Sequence, residues 1–145
     1  MTTTREQAIG ALFTILATAA EFKTVGRRNR DPEGLAPSLC PALFLLEHSE
    51  TYKRPSPNLA PIRTMHLSAV VYHDVGTDEN AIPSAMINNI LDQVDILLKP
   101  DDPMRNAMTL GGLVSSVVID GENPRAPGDI TGKSLAIVQI KITLP

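Results

Sequence analysis

Hydrophobic positions change period along the chain, and each change marks an element. Near the N-terminus Ala8, Leu12, Ile15, Leu16 and Ala19 recur at helical spacing, which places them on one stripe of an α-helix. Thr2, Thr3 or Thr4 is available to cap it, and Glu6 or Gln7 to close a capping box three positions on. Ile9, Phe13 and Phe22 widen the stripe, so this helix is expected to pack on two sides, with the sheet of its own domain and a neighbouring subunit as the candidates. A second helix is predicted over about residues 81–98, where Ile87, Ile90, Leu91, Val94 and Leu98 form the stripe and Met86 and Leu97 flank it. Pro83 falls in its first turn and Pro100 stops it. Asp78 and Glu79 near its start and Lys99 at its end match the helix dipole.

The remaining apolar runs read as strands. A short one is predicted over residues 23–28, followed by a long loop built on Asn29, Asp31, Pro32, Gly34, Pro37 and Pro41. Residues 42–48 carry Leu43, Phe44, Leu45 and Leu46 in succession, so both faces of that strand must be covered. Pro55, Pro57 and Pro61 exclude a central strand next, and residues 49–64 read as a projecting arm or hairpin tip. From 65 to 72 the pattern alternates, with Met65, Leu67, Ala69 and Val71 on one face and His66, Ser68, Val70 and Tyr72 on the other. Gly76-Thr77-Asp78 ends that strand and caps the second helix. Residues 101–112 read as loop, 114–120 as strand and 121–132 as turns. The cleanest alternation closes the chain over 135–144, where Ala136, Val138, Ile140, Ile142 and Leu144 share one face and Gln139, Lys141 and Thr143 the other; this is the expected sheet centre. The order α–β–β–β–α–β–β predicts one α+β domain over residues 1–145, with a mixed, mostly antiparallel sheet of about four to five strands and two main helices on one face.

Composition narrows the function. Hydrophobic residues make up 43% and charged residues 20% of the 145, which fits a folded globular chain. The first apolar stretch is interrupted by Gly10, Thr14 and Thr18 and preceded by Glu6, so neither a secretory signal nor a membrane span is expected, and the chain reads as soluble and unexported. A formal net charge of −3 supplies no global basic field for nucleic acid and little self-repulsion against association. Cys40 is the single cysteine; it excludes an intrachain disulfide, suits a reducing compartment, and reads as a small buried hydrophobe rather than a nucleophile.

Candidate chemistry is sparse. His48, His66 and His73 share no metal-ligand spacing. His73-Asp74 with Ser49 or Ser56 would make a triad, but no nucleophile elbow accompanies them. Gly111-Gly112 lacks the Lys-Ser/Thr of a phosphate loop, and Asp101-Asp102 lacks the alternating oxygens of a calcium loop and reads as a solvated pair. No catalytic residue, metal site or cofactor is therefore expected. The one charge cluster is Lys23, Arg27, Arg28 and Arg30. It reads as a guarded edge strand or a contact with an acidic protein partner, ahead of nucleic acid, because no aromatics interleave with it.

A resemblance runs over nearly the whole chain. It is carried by the helix Arg5-Glu6-Gln7-Ala8-Ile9-Gly10-Ala11-Leu12-Phe13, by Phe22-Lys23-Thr24-Val25-Gly26-Arg27-Arg28 and by Pro41-Ala42-Leu43-Phe44-Leu45. The most distinctive piece is His48-Ser49-Glu50-Thr51-Tyr52-Lys53-Arg54-Pro55-Ser56-Pro57-Asn58-Leu59, followed later by Leu110-Gly111-Gly112-Leu113-Val114 and Ala136-Ile137-Val138-Gln139-Ile140. Together these resemble the tail terminator, or tail completion, proteins of long-tailed bacteriophages, such as the lambda minor tail protein that ends tube growth. The resemblance implies a small structural protein without enzymatic activity or cofactor. It implies a hexameric ring on the last ring of the tail tube, a docking surface for the head connector, and DNA passing through the lumen without sequence-specific binding. Its place would be the host cytoplasm during assembly and then the head-proximal end of the tail in the virion, with no membrane involved. The alternatives are a head–tail connector (neck) protein and, in another class, a small α+β enzyme or ligand-binding domain. Under the first reading Lys23, Arg27, Arg28 and Arg30, with Glu50, Tyr52, Lys53, Arg54, Pro55 and Pro57 of the arm, are the expected contacts with sister subunits or partners.

Overall fold

Thr4 opens the first helix. In the computed structural model of the protein, which describes residues 2–29, 35–76, 80–82, 84–126 and 133–145, the Thr4 side chain accepts from the Gln7 amide and the Gln7 side chain from the Thr4 amide. This reciprocal pair satisfies two amide groups that a helix start leaves without partners. Helix α1 follows as Arg5–Leu16 and buries Ala8, Ile9, Leu12 and Leu16. Ile15 of the stripe, and Phe13 and Phe22, which widen it, are half-buried against the same core.

Then come β1 (Thr24–Gly26), a 3-10 turn at Pro37–Leu39, β2 (Ala42–Lys53), β3 (Ile62–Asp74), α2 (Ala85–Leu97), β4 (Ser116–Ile119), β5 (Arg125–Ala126) and β6 (Lys133–Thr143). Among the described residues the sheet has six strands in the order β1-β2-β3-β6-β4, with β5 also paired to β6. Only β1 and β2 run parallel; every other pair is antiparallel. The fold is thus the α+β arrangement expected, with β5, too short to show a period, as the additional strand. The strand β6 lies inside the sheet, between β3 and β4, as its alternation predicts.

Two expectations change. The strand predicted over 42–48 continues five residues further, to Lys53. Its register against β3 passes from Glu47↔Leu67 to Ser49↔His66, so His48 is an extra residue in a β-bulge. The bulge reverses the alternation: Leu43, Leu45 and Glu47 face the helices before it, and Glu50 and Tyr52 after it. A period-two reading ends where that parity breaks. The arm expected over residues 49–64 is therefore largely paired strand, and only residues 54–61 form the turn at the hairpin end. The second helix begins at Ala85 rather than near 81, and Ser84 at its cap makes no side-chain cap bond. Thr77, Asp78, Glu79 and Pro83, which sequence placed at its start, lie outside the described residues.

The larger core cluster joins Leu12 and Leu16 of α1 and Ile87, Ile90 and Val94 of α2 to Leu43, Leu45, Leu67, Ala69, Val138, Ile140 and Ile142 of the sheet. Both helices therefore lie on one face. The other face is covered over part of its area by a second cluster, in which Leu35 and Cys40 fold over Ala42, Phe44, Val70 and Tyr72. Phe44 and Tyr72 meet edge to face, with ring centroids 5.9 Å apart and planes at 60°. This is the two-sided covering that the Leu43-to-Leu46 run requires. Fully burying each such side chain contributes about 1.5–3 kcal/mol. Neither helix is long and apolar enough to cross a membrane.

Asp101, exposed as expected of a loop acid, also organises its loop. Its carboxylate accepts from the Thr109 amide at 2.7 Å, the Thr109 hydroxyl at 2.8 Å and the Gly111 amide at 2.8 Å. These bonds, the one from Gly111 foremost, hold its carboxyl below the usual aspartate value. They fix a turn in which Leu110, Gly111 and Gly112 all have positive φ, at 53°, 73° and 91°. Glycine bears that conformation at little cost.

Candidate interaction surface

The two groups of residues singled out from sequence, one around β1 and one along the hairpin, meet at the N-terminus of α1. Arg27, just beyond β1, forks onto Glu6, with Nη1–Oε2 at 2.6 Å and Nη2–Oε1 at 2.8 Å, and Glu47 Oε2 stands 3.6 Å from Nη2. One residue earlier on the helix, Arg5 forks onto Glu50 at 2.7 and 3.0 Å and also donates to the Tyr52 hydroxyl at 2.7 Å. Planar guanidinium groups favour this two-point geometry. The hydrogen bond from Arg27 holds the Glu6 carboxyl below its ordinary pKa, and that from Arg5 does the same for Glu50.

This arrangement changes what those residues offer to a partner. Arg27 and Glu50 are engaged within the chain as struts that tie α1 to β1 and β2. Of the basic cluster, Lys23 and Arg28 remain solvent-exposed, and Arg30 lies outside the described residues. Arg5, Glu6 and Glu47, which sequence reasoning missed, are the struts' partners. Their contacts span 20 to 47 residues of chain, and no local spacing signals them.

The hairpin end is different. Lys53 closes β2, Arg54 Nη1 donates to the Leu59 carbonyl at 3.2 Å, and the Leu59 amide donates to the Ser56 carbonyl at 3.1 Å. Pro55 and Pro57 are exposed on the turn these bonds close. Tyr52, Leu59 and Ile62 are 57%, 56% and 44% exposed. Leu59 and Ile62 were not singled out from sequence, because their exposure follows from the hairpin's projection and not from their pattern. Residues 51–63 hold Lys53, Arg54 and Arg63 and no acid. The hairpin end is therefore apolar and basic at once.

The open part of the helix-free face carries polar pairs. His48 Nε2 lies 2.7 Å from Ser68 Oγ, which donates its hydrogen to Gln139 Oε1 at 3.1 Å. Ser68 is only 1% exposed. Thr51 Oγ1 and His66 Nε2 pair at 2.8 Å. His73, half-buried beside Asp74, has its pKa lowered by burial, and its Nδ1 has no partner among the described residues. Ser49 is paired opposite His66, seven strand residues or about 23 Å from His73, so the triad considered from sequence is not assembled. Cys40 is buried 3.9 Å from Lys133 Nζ, and burial pushes its thiol pKa up, as for an inert packing cysteine. No group of three His, Cys, Asp or Glu able to hold a metal forms among the described residues.

No protein-family model matches the chain, and no curated protein matches it in sequence.

Proposed function

We propose that this protein is a structural subunit of a virus tail: a terminator that assembles into a hexameric ring on the last ring of the tail tube, ends tube growth and presents the surface on which the head connector docks. The observation that carries the reading is the hairpin end. Leu59 and Ile62 stand exposed there beside Lys53 and Arg54, and Tyr52, on the other face of the hairpin, is 57% exposed although Arg5 holds its hydroxyl. Large apolar side chains grouped on a projection gain free energy only when another surface covers them. Pro55, Pro57 and Pro61, with the Arg54–Leu59 bond, restrict the turn in advance, so little ordering entropy opposes docking. A contact between one patch and a different patch on the next copy closes into a ring when the rotation permits. The near-neutral charge of −3 opposes such association weakly. The resemblance to tail terminators, strongest over residues 48–59, supports the virus tail among ring-forming assemblies. Assembly would occur in the host cytoplasm, and the finished ring would sit at the head-proximal end of the tail with DNA passing through its lumen.

Size-exclusion chromatography with light scattering and negative-stain microscopy of the purified chain test this. The expected result is a closed ring with a central hole and the mass of six 15.6 kDa chains. A monomeric globule at every concentration, with or without tail tubes, would refute it.

A further inference from the structure

Nine large hydrophobic side chains are exposed among the described residues, and they are not evenly spread. Three stand at the hairpin end. Val118, 46% exposed, stands in β4 at the sheet edge opposite β1. There it lines a groove of about 450 Å³ between the C-terminal end of α2, the 101–112 loop and β4. Met104, 93% exposed, projects from the same loop. The groove has the volume of a binding site. Leu98, Pro100, Met108, Val117 and Ile119 are among its apolar lining, and Asp95 is the one charged residue among its described lining residues. Asp92 lies one helical turn before Asp95, and neither forms an ion pair with a described residue.

The two features are complementary. One is apolar with basic residues and no acid; the other is apolar with the carboxylate of Asp95 in its lining, while Lys99 and Arg105 flank it in the chain and Arg105 is already paired with Asp102. No contact joins the two within one chain among the described residues. The groove lies beside β4, which β6 separates from β3, about 10 Å away at normal strand spacing. The hairpin leaves the sheet along the strand direction, past the last β3–β6 pair at Thr64↔Thr143. Because every copy carries both halves, the occupant that the charge and apolar pattern specifies is a second copy of this chain. Strand addition to the open edge of β2 is the competing mode of association, and the His48 bulge with Glu47 and Glu50 disfavours it.

We infer that the hairpin end of one copy seats in the α2–β4 groove of the next, with Leu59 entering the apolar lining and Lys53 facing Asp95. The inference rests on the self-assembly reading above and names its lateral interface. The contact joins two different patches, so it propagates around a ring and does not stop at a dimer.

Paired cysteines test it. Cys40 is buried and does not compete, so Leu59→Cys with Ala107→Cys, which lines the groove, under mild oxidation is expected to give a ladder of cross-linked chains in steps of 15.6 kDa. Leu59→Cys with Val25→Cys, at the other sheet edge, is expected to give none. A charge exchange gives a second readout that does not depend on thiols. Lys53→Glu and Asp95→Lys should each weaken association about fivefold, and the double variant should return to within about twofold of the parent. Rings without the Leu59–Ala107 ladder, rings in which the Val25 pair cross-links instead, or a double variant no better than the singles would overturn this interface while leaving ring formation standing. Chains that stay monomeric at every concentration would overturn both.

Discussion

Phe44 is the position where the two-sided sheet is most directly tested. It is 1% exposed, on the face opposite the helices, enclosed by Leu35, Cys40, Ala42, Val70 and Tyr72. Phe44→Ala removes the edge-to-face contact with Tyr72 and empties the centre of that cluster. Such truncations cost about 3–5 kcal/mol, against a total stability of about 5–15 kcal/mol for a domain. With a urea slope of about 2 kcal/mol/M the unfolding midpoint should fall by about 2 M. Cys40 supplies a local probe, because burial both shields its thiol and raises its pKa. If residues 35–41 cover this face by packing on Phe44, the variant should open that segment and speed maleimide labelling of Cys40 at least about a hundredfold under native conditions. Leu12→Ala, in the other cluster, should cost about 2–5 kcal/mol globally yet leave native-state labelling within about threefold. A Phe44→Ala loss below about 1 kcal/mol, or unchanged labelling, would refute the claim that the second face is packed.

Three further outcomes follow from specific contacts. Asp101→Ala should speed amide exchange at Thr109 and Gly111 by about tenfold while leaving the β6 amides protected, because its carboxylate holds both donors; equal exchange in variant and parent would contradict its role. Burial lowers the His73 pKa below its ordinary 6.5, so as pH falls the unfolded chain takes up that proton first. The stability His73 contributes is present above its ordinary value and is lost as pH falls below it toward the lowered folded value; His73→Asn should flatten that part of the melting temperature–pH curve, and an unchanged slope would assign it to other groups. Leu59→Ser should shift monomer stability by no more than about 0.5 kcal/mol yet prevent ring formation; rings of parental stability would remove Leu59 from the interface.

What could be read from sequence depended on how local its cause was. The β6 strand was legible because Ala136, Val138, Ile140, Ile142 and Leu144 keep one parity against a single buried face. The capping box at Thr4 and Gln7 was legible because its reach is three residues. The hairpin was read short because His48 inserts one residue and turns Glu50 and Tyr52 to the face that Glu47 holds before it. The parallel pairing of β1 with β2 and the Arg27–Glu6 and Arg5–Glu50 struts arise from long-range docking, and no spacing in the chain encodes them. The organising role of Asp101 was not legible, because a carboxylate that collects the Thr109 and Gly111 amides looks, in sequence, like any loop acid. The basic cluster was visible as a run, yet its composition could not tell that Arg27 is engaged inside the fold while Lys23 and Arg28 face solvent.

Tail length is the most direct measure of what the chain is proposed to do. Tails assembled with the chain present, imaged by electron microscopy, should share one length and carry a ring at the end that meets the head. Without the chain, tubes should overgrow and fail to join heads, and supplying Leu59→Ser should not restore them. A length distribution and head attachment that stay the same in its absence would contradict the account.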